Sequence, residues 1–393
     1  MADYGNDWTE EQLEELERRI YETYKLAKEE MQEKVEAYFE RFRERDEENR
    51  KRLEAGEITE EYYKQWRLAQ IGRGQRMEAL RDEYARRMNE ANKVAAAYIN
   101  DATPGIYSLN ENYAAYTIEQ VSGNVGFNLI NEQAVRRLIV EQPELFYRPV
   151  IDTPFDVVWN QKKLTAALTS GILQGESIGK IADRFQDVAD MNRVSALRNA
   201  RTAVTSAQNA GIQASYDRAL EMGLDFLGKR WVATKDLRTR ESHAAMDGKI
   251  VPLDGYFETP LGSIMQYPGD MSNARPGDIY NCRCRTVSKE KPGIEAEPRE
   301  MRVRDPITGK NELISEMTYQ EWYAWKQGQD PEAFALAEKK QKNQSADLKQ
   351  FEEYRKVLGG KFPKTLEGFQ RLKYEKTEAW EAAKQEYTEK KGR

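Results

Sequence analysis

The 393-residue sequence predicts an α+β protein that is mainly α, and three observations point that way. Apolar residues recur at helical spacing through the N-terminal and C-terminal parts of the chain. The stretch 226–290 is instead cut by Pro and Gly into short β-like pieces, and the single His and both Cys fall inside it. The expected organisation is a long helical hairpin over 1–100, a helical domain over 101–225, a small loop-rich β module with a Cys/His cluster over 226–290, and a charged helical tail over 291–393.

The first helix is expected to begin at Thr9. Trp8 precedes this cap residue, Gln12 completes a capping box, and Leu13 is placed to staple back onto Trp8. The apolar positions Leu13, Leu16, Ile20, Tyr24, Ala27, Met31, Val35, Tyr38 and Phe42 then follow a 3-4-4 spacing. Such a repeat has about 3.67 residues per turn, so the seam should run nearly straight or with a slight right-handed supercoil. A second start at Ile58-Thr59-Glu60-Glu61, just after Gly56, opens a return helix expected to reach Ile99. The turn-rich Asn100-Asp101-Ala102-Thr103-Pro104-Gly105 should close the hairpin.

Shorter and more apolar helical segments follow, containing Tyr107, Tyr113, Tyr116, Trp159 and Leu168. Between Asn192 and Gly223 a stripe of small residues, Ala196, Ala200, Ala203, Ala207, Ala210 and Ala214, permits close approach of another helix. Packing within the chain is the commoner use of such a stripe, and an interface with a second subunit is the alternative. From Phe226 to Val287 the β-like pieces are separated by turns such as Pro268-Gly269-Asp270 and Pro276-Gly277-Asp278. After Lys291-Pro292-Gly293 charged helical segments return, anchored by Trp322, Trp325, Phe351, Tyr354, Phe369 and Trp380.

Charged residues make up 33% of the chain, yet 61 basic residues nearly balance 67 acidic ones, for a net charge of -6. That pattern suits long solvated helices and provides no global field to draw DNA onto the whole surface. No apolar run approaches the roughly 20 residues that span a bilayer. The start, Met1-Ala2-Asp3-Tyr4-Gly5-Asn6-Asp7, lacks the regions of a signal peptide. The expectation is a protein made and kept in a cytoplasm, and two cysteines do not form a disulfide scaffold.

The candidate site is the cluster of scarce residues His243, Cys282 and Cys284. If Asn281-Cys282-Arg283-Cys284 lies on a strand, both thiols point to one face, because side chains alternate with period two. His243 would add a third ligand and Asp236 or Asp247 a fourth, a set that suits tetrahedral zinc. A metal there would staple a module whose own core is small. Two other states stay open: plain buried thiols, and a Cys282–Cys284 disulfide, which is strained across one residue of extended backbone. Asp236, followed by Arg238 and Arg240, reads as a turn held by charge-assisted hydrogen bonds, or with His243 as an acid–base pair lacking a second positioned group. The stretch Gly171 to Lys180 has Gln174 and Ile181 where a phosphate loop needs Gly and Ser or Thr, and reads as a helix start. Arg193, Arg198 and Arg201, with Arg283 and Arg285, are local basic clusters that can meet phosphates, although a solvated face is their usual use.

The run Trp231 through Asp236, Arg238-Thr239-Arg240, His243, Met246-Asp247-Gly248, Pro276-Gly277-Asp278 and Asn281-Cys282-Arg283-Cys284 resembles the phage Mu F-like minor head proteins. The helix Ala200-Arg201-Thr202-Ala203 through Asn209-Ala210-Gly211 is similar to the Arg-Thr-Glu helix of that family, with Ala203 in place of the usual acid. Gly56-Glu57-Ile58-Thr59-Glu60-Glu61, Tyr98-Ile99-Asn100, Tyr107-Ser108-Leu109-Asn110 and the closing Pro363-Lys364-Thr365-Leu366 are similar to minor head proteins of phages of Gram-positive hosts. The resemblance implies a virion protein of the phage head, without catalytic residues, assembled in the host cytoplasm. It implies action in head morphogenesis at the portal vertex, with the portal protein, the major capsid or scaffolding protein and packaged DNA as partners. Some relatives carry a fused toxin or transferase after the head module, so a metal-dependent enzyme or toxin is the rival. The residues after this module are charged, helix-like and free of His and Cys, which favours an interaction tail.

Overall fold

Asp3, not Thr9, starts the first helix. Helix α1 spans Tyr4–Glu54 in a computed structural model that describes residues 3–123, 126–224, 227–290, 300–359 and 362–391. The Asp3 carboxylate accepts the Asn6 N–H at 3.2 Å and caps the helix. The Thr9 hydroxyl instead donates to the Gly5 carbonyl at 2.7 Å and accepts the Asn110 amide at 2.8 Å. A threonine satisfied by its own preceding turn can sit inside a helix, so a good cap residue marked no end here. The apolar seam is as expected: Leu16, Ile20, Tyr24, Ala27, Met31, Val35 and Tyr38 are buried, while Leu13 and Phe42 pack at its edges.

Thr59 caps α2, Glu60–Gln70, as anticipated, but the return helix breaks after it, and Gly74 takes a left-handed φ of 109°. Helix α3 then runs Gln75–Ser122, straight through the predicted closing turn and through Pro104. An internal proline costs about 3 kcal/mol. Ile99, Ile106 and Tyr107 are all buried beside it, and at about 2 kcal/mol each their burial outweighs that cost. The expected boundary at residue 100 therefore lies inside a continuous helix.

Three more helices complete this unit: α4 (Glu132–Glu141), α5 (Thr153–Leu173) and α6 (Ile178–Glu221). Ser177 caps α6 by accepting the Lys180 N–H, so Gly171 to Lys180 runs from the last turn of α5 into the start of α6. Ala196, Ala200, Ala203, Ala207 and Ala210 are buried in the core of their own chain, where α6 packs chiefly on α3 and α1. The backbones of α6 and α3 approach closely at Gly211, where an added Cβ would lie 2.3 Å from the Tyr107 carbonyl oxygen.

Beside that crossing, the Glu111 carboxylate is 4% exposed and pairs with Arg218. Burial pushes its pKa up to about 7, and the attraction of Arg218 offsets only part of the rise. Because the folded value lies above the unfolded one, near 4.3, the group costs nothing at pH 4 and loses stability as the pH rises toward 7. Urea unfolding should show a loss on the order of 2–3 kcal/mol across that window from this group. Glu111→Gln should flatten the slope, and an unchanged slope in the variant would remove Glu111 as its source.

Five short strands follow: β1 (Leu227–Val232), β2 (Ile250–Pro252), β3 (Phe257–Glu258), β4 (Ile264–Met265) and β5 (Arg285–Glu290), with the single-turn helices α7 (Glu241–Ala244) and α8 (Pro276–Ile279). They form a sheet of order β2-β1-β5, in which Lys229 faces Val251 across an antiparallel pair, and a β3-β4 ribbon. This is the loop-rich β module that the sequence predicts. Both Pro-Gly-Asp motifs are hydrogen-bond hubs. The buried Asp278 carboxylate accepts the Thr259 and Ser263 hydroxyls at 2.6 Å each, and Asp270 accepts the Gln266 and Ser272 N–H groups at 2.8 and 2.9 Å.

By contact density Asp3–Trp231 and Lys249–Ile294 form one compact unit, and Val232–Gly248 with Glu295–Arg393 the other. The expected boundaries at Phe226 and Lys291-Pro292-Gly293 fall outside the described residues. The second unit contains a hairpin, β6 (Glu300–Arg304) with β7 (Asn311–Ser315), where a helical tail was expected. Its signal was present as the alternation of buried Met301 and Val303 with exposed neighbours, and in the turn at Gly309. Helices α9 (Tyr319–Gln329), α10 (Pro331–Lys342), α11 (Gln344–Leu358), α12 (Leu366–Glu375) and α13 (Thr377–Lys391) follow. Trp322, Phe351, Tyr354, Phe369 and Trp380 are buried anchors, whereas Trp325 is exposed, with the Lys326 ammonium 4.6 Å from its ring centre. No described helix is long and apolar enough to cross a membrane.

Candidate metal centre

Helix α6 builds one wall of the site. Thr202, Thr205 and Asn209 share one face by helical spacing, and the segment 281–286 is hydrogen-bonded along that face. The Asn281 N–H donates to Thr202 Oγ1 at 3.3 Å, the Thr205 hydroxyl to the Cys282 carbonyl at 2.6 Å, and the Asn209 amide to the Cys284 carbonyl at 3.0 Å. Asn209 Oδ1 also accepts the Thr286 N–H at 2.9 Å. The backbone of both cysteines is thereby fixed from the helix.

The segment is a turn, not the expected strand. β5 begins only at Arg285, and Asn281 has a left-handed φ of 58°, which Asn tolerates better than most residues. The Cys282 N–H closes onto the Ile279 carbonyl at 3.1 Å, and the Cys284 N–H donates to Cys282 Sγ at 3.4 Å. Both cysteines are buried and not joined to one another, so the disulfide state is not the one adopted.

His243 lies on α7, in a loop whose base is closed by the Trp231 N–H donating to the Lys249 carbonyl at 2.9 Å. His243, Cys282 and Cys284 are all buried, the two cysteines in the compact unit of α6 and His243 in the other. Asp236 is committed to its own turn. Its carboxylate accepts the Arg238 N–H at 2.9 Å and pairs with the Arg238 guanidinium at 3.0 Å, the charge-assisted turn read from the sequence. Asp247 is committed elsewhere too, accepting Lys235 Nζ at 2.7 Å and the Ala233 and Tyr319 N–H groups at 2.5 and 2.6 Å. Both residues offered as a fourth ligand, Asp236 and Asp247, thus have partners of their own.

The basic cluster offered for phosphate contact is engaged within the fold. Arg193 pairs with Asp190 at 3.3 Å and Arg201 with Glu17 at 2.5 Å, while Arg198 lies 5.2 Å from the Tyr280 ring centre. Arg285 pairs with Asp3 at 2.7 Å. The sequence reading missed a network in which Asn89 and Asn92 donate to Asp156 at 2.8 and 2.9 Å and Asn192 donates to Asn160 at 2.7 Å. Asn92, Asp156 and Asn192 of this network line a groove of about 410 Å³ together with Trp159 and Met191. Its signal was polar residues at core positions of long helices, which specifies buried hydrogen bonding but no chemistry.

Residues 162–287 match the family described as phage Mu protein F like protein. That region of the chain is similar to the Mu F-like proteins. The matched region includes α6 with its small-residue stripe, His243 and both cysteines. Position 203, where the family's usual acid is replaced, is a buried Ala in that stripe, a place where a carboxylate would need its own partner. The minor head protein GP7 of Bacillus phage SPP1 is 28% identical over 276 residues, covering 67% of this chain and 84% of that protein. The NAD(+)--arginine ADP-ribosyltransferase EFV of Enterococcus faecalis is 32% identical over 163 residues, covering 42% of this chain and 31% of that protein. No solved structure matches the chain.

Proposed function

We propose that the chain is a structural minor head protein of a tailed phage, built into the virion head in the host cytoplasm and acting in head morphogenesis at the portal vertex. The observation that supports this most is extent: the similarity runs over 84% of the SPP1 minor head protein, so it is not confined to one motif. Portal protein is the first partner of this reading, and major capsid or scaffolding protein the second. Packaged DNA is a lesser partner, because Arg193, Arg198, Arg201 and Arg285 already have partners inside the fold. The test is co-expression with the portal protein of the same genome, followed by native mass spectrometry. A defined complex with a small number of copies per portal ring is the expected result. Two separate species at low salt would reject the portal assignment.

The similarity to an ADP-ribosyltransferase favours a second, enzymatic reading, but it reaches only 31% of that protein. The geometry gives this reading little: the Asp236 carboxylate holds a turn and Asp247 an ion pair, so neither is poised as an acid or base. Transfer of ADP-ribose from NAD by the purified chain would move the assignment to the enzyme.

A further inference from the structure

We propose that the groove lined by α3, α5 and α6 receives a segment of the portal protein that presents a lysine or arginine next to a large apolar side chain. The source of the segment rests on the head-protein reading, whereas its chemistry is read from the groove's own residues.

Every residue that lines the groove belongs to one compact unit. Much of the lining is apolar and open to solvent. Phe155 on α5 and Met191 and Val194 on α6 are 69%, 48% and 60% exposed, and Ile151 and Trp159 line the groove with them. Single apolar residues on a surface are ordinary, but several gathered at one groove mark a place where another molecule binds. At about 410 Å³ the groove falls within the range of roughly 300–1,000 Å³ found for binding clefts. That is room for a few side chains of a docked segment.

Charge selects the occupant. Asp156 and Arg198 are the charged residues of the lining. Arg198 donates to the Ser195 hydroxyl at 3.1 Å and lies 5.2 Å from the Tyr280 ring centre, so its cation is already engaged. The Asp156 carboxylate accepts the Asn89 and Asn92 amides at 2.8 and 2.9 Å, and among the described residues it has no ion-pair partner. Neutral amides hold the carboxylate in place without neutralising it. A carboxylate set among apolar side chains suits an ammonium or guanidinium, whose own aliphatic stem covers the apolar surface on the way in. An acidic segment would be repelled, which gives the groove a sign as well as a shape. The polar lining is also ordered beforehand: the Asn92 amide donates to Asn192 at 2.8 Å, and the Asn192 amide to Asn160 at 2.7 Å. Docking therefore does not have to organise these side chains first, which lowers its entropic cost.

The test uses the full chain and fluorescein-labelled overlapping peptides that tile the portal protein of the same genome, with binding read by anisotropy. A parallel set tiles the major capsid protein. The expected result is a portal peptide with Lys or Arg beside an aromatic or branched apolar residue, whose affinity falls at least about tenfold in Asp156→Asn and in Val194→Lys. Val194 is exposed, so the second variant adds a competing cation without disturbing the core, and it decides alone should Asp156→Asn fail to fold. No binding by any portal peptide, binding confined to capsid peptides, or an affinity unchanged in Val194→Lys overturns the proposal. The head-protein reading fails on a different result, two separate species when the intact portal protein and the chain are weighed together.

Discussion

Gly211→Ala is expected to destabilise the helical unit by about 3 kcal/mol or more, the upper range for overpacking a core. For a unit of this size that corresponds to a fall in thermal midpoint of roughly 10 °C. The added methyl would meet the Tyr107 carbonyl oxygen at 2.3 Å and the Glu111 amide nitrogen at 3.2 Å. Both are backbone atoms of α3, so no side chain can rotate away, and relief requires α3 and α6 to separate. Separation would loosen the whole stripe from Ala196 to Ala210, which is buried in this core. Gly179 in the first turn of the same helix is the control, since a Cβ there meets nothing within 4 Å. Gly179→Ala should stabilise by about 0.5–1 kcal/mol through helix propensity and a less flexible unfolded chain. Opposite signs for one substitution at two places in one helix would establish the close crossing, and equal small effects would show that α3 and α6 do not approach as closely.

The contrast between these two glycines also shows which features were legible in the residues alone. The eleven-residue seam from Leu16 to Tyr38 and the alanine stripe could be read because burial follows a periodic pattern, and both are buried as that pattern requires. Features that hinge on one local signal were read less well. Thr9 looks like a cap but satisfies its hydroxyl on Gly5, Pro104 looks like a stop but is outweighed by its buried neighbours, and Asp3 caps the helix without an apolar residue to announce it. The hairpin β6–β7 was hidden by charge, since Glu300, Arg302 and Arg304 occupy the exposed alternate positions of its first strand. At the site, scarcity alone picked out His243, Cys282 and Cys284. Their geometry was not legible, because it depends on the left-handed Asn281 and on Thr202, Thr205 and Asn209, polar residues of a distant helix whose partners only the fold supplies.

Asp247→Ala should cost about 3–5 kcal/mol, because it strands a buried cation. The Lys235 and Asp247 side chains are each 2% exposed, and the ammonium bonds both carboxylate oxygens, at 2.7 and 2.8 Å. Without the carboxylate, the Lys235 ammonium loses the two charge-assisted hydrogen bonds that pair it, and the Ala233 and Tyr319 N–H groups lose this acceptor. Removing one partner of a buried pair leaves an uncompensated charge, whereas removing both leaves mainly the two amides. The double variant Lys235→Met with Asp247→Ala should therefore be more stable than Asp247→Ala alone, a coupling that a double-mutant cycle measures directly. A double variant no better than the single one would mean that the amide hydrogen bonds, and not the ion pair, secure this loop.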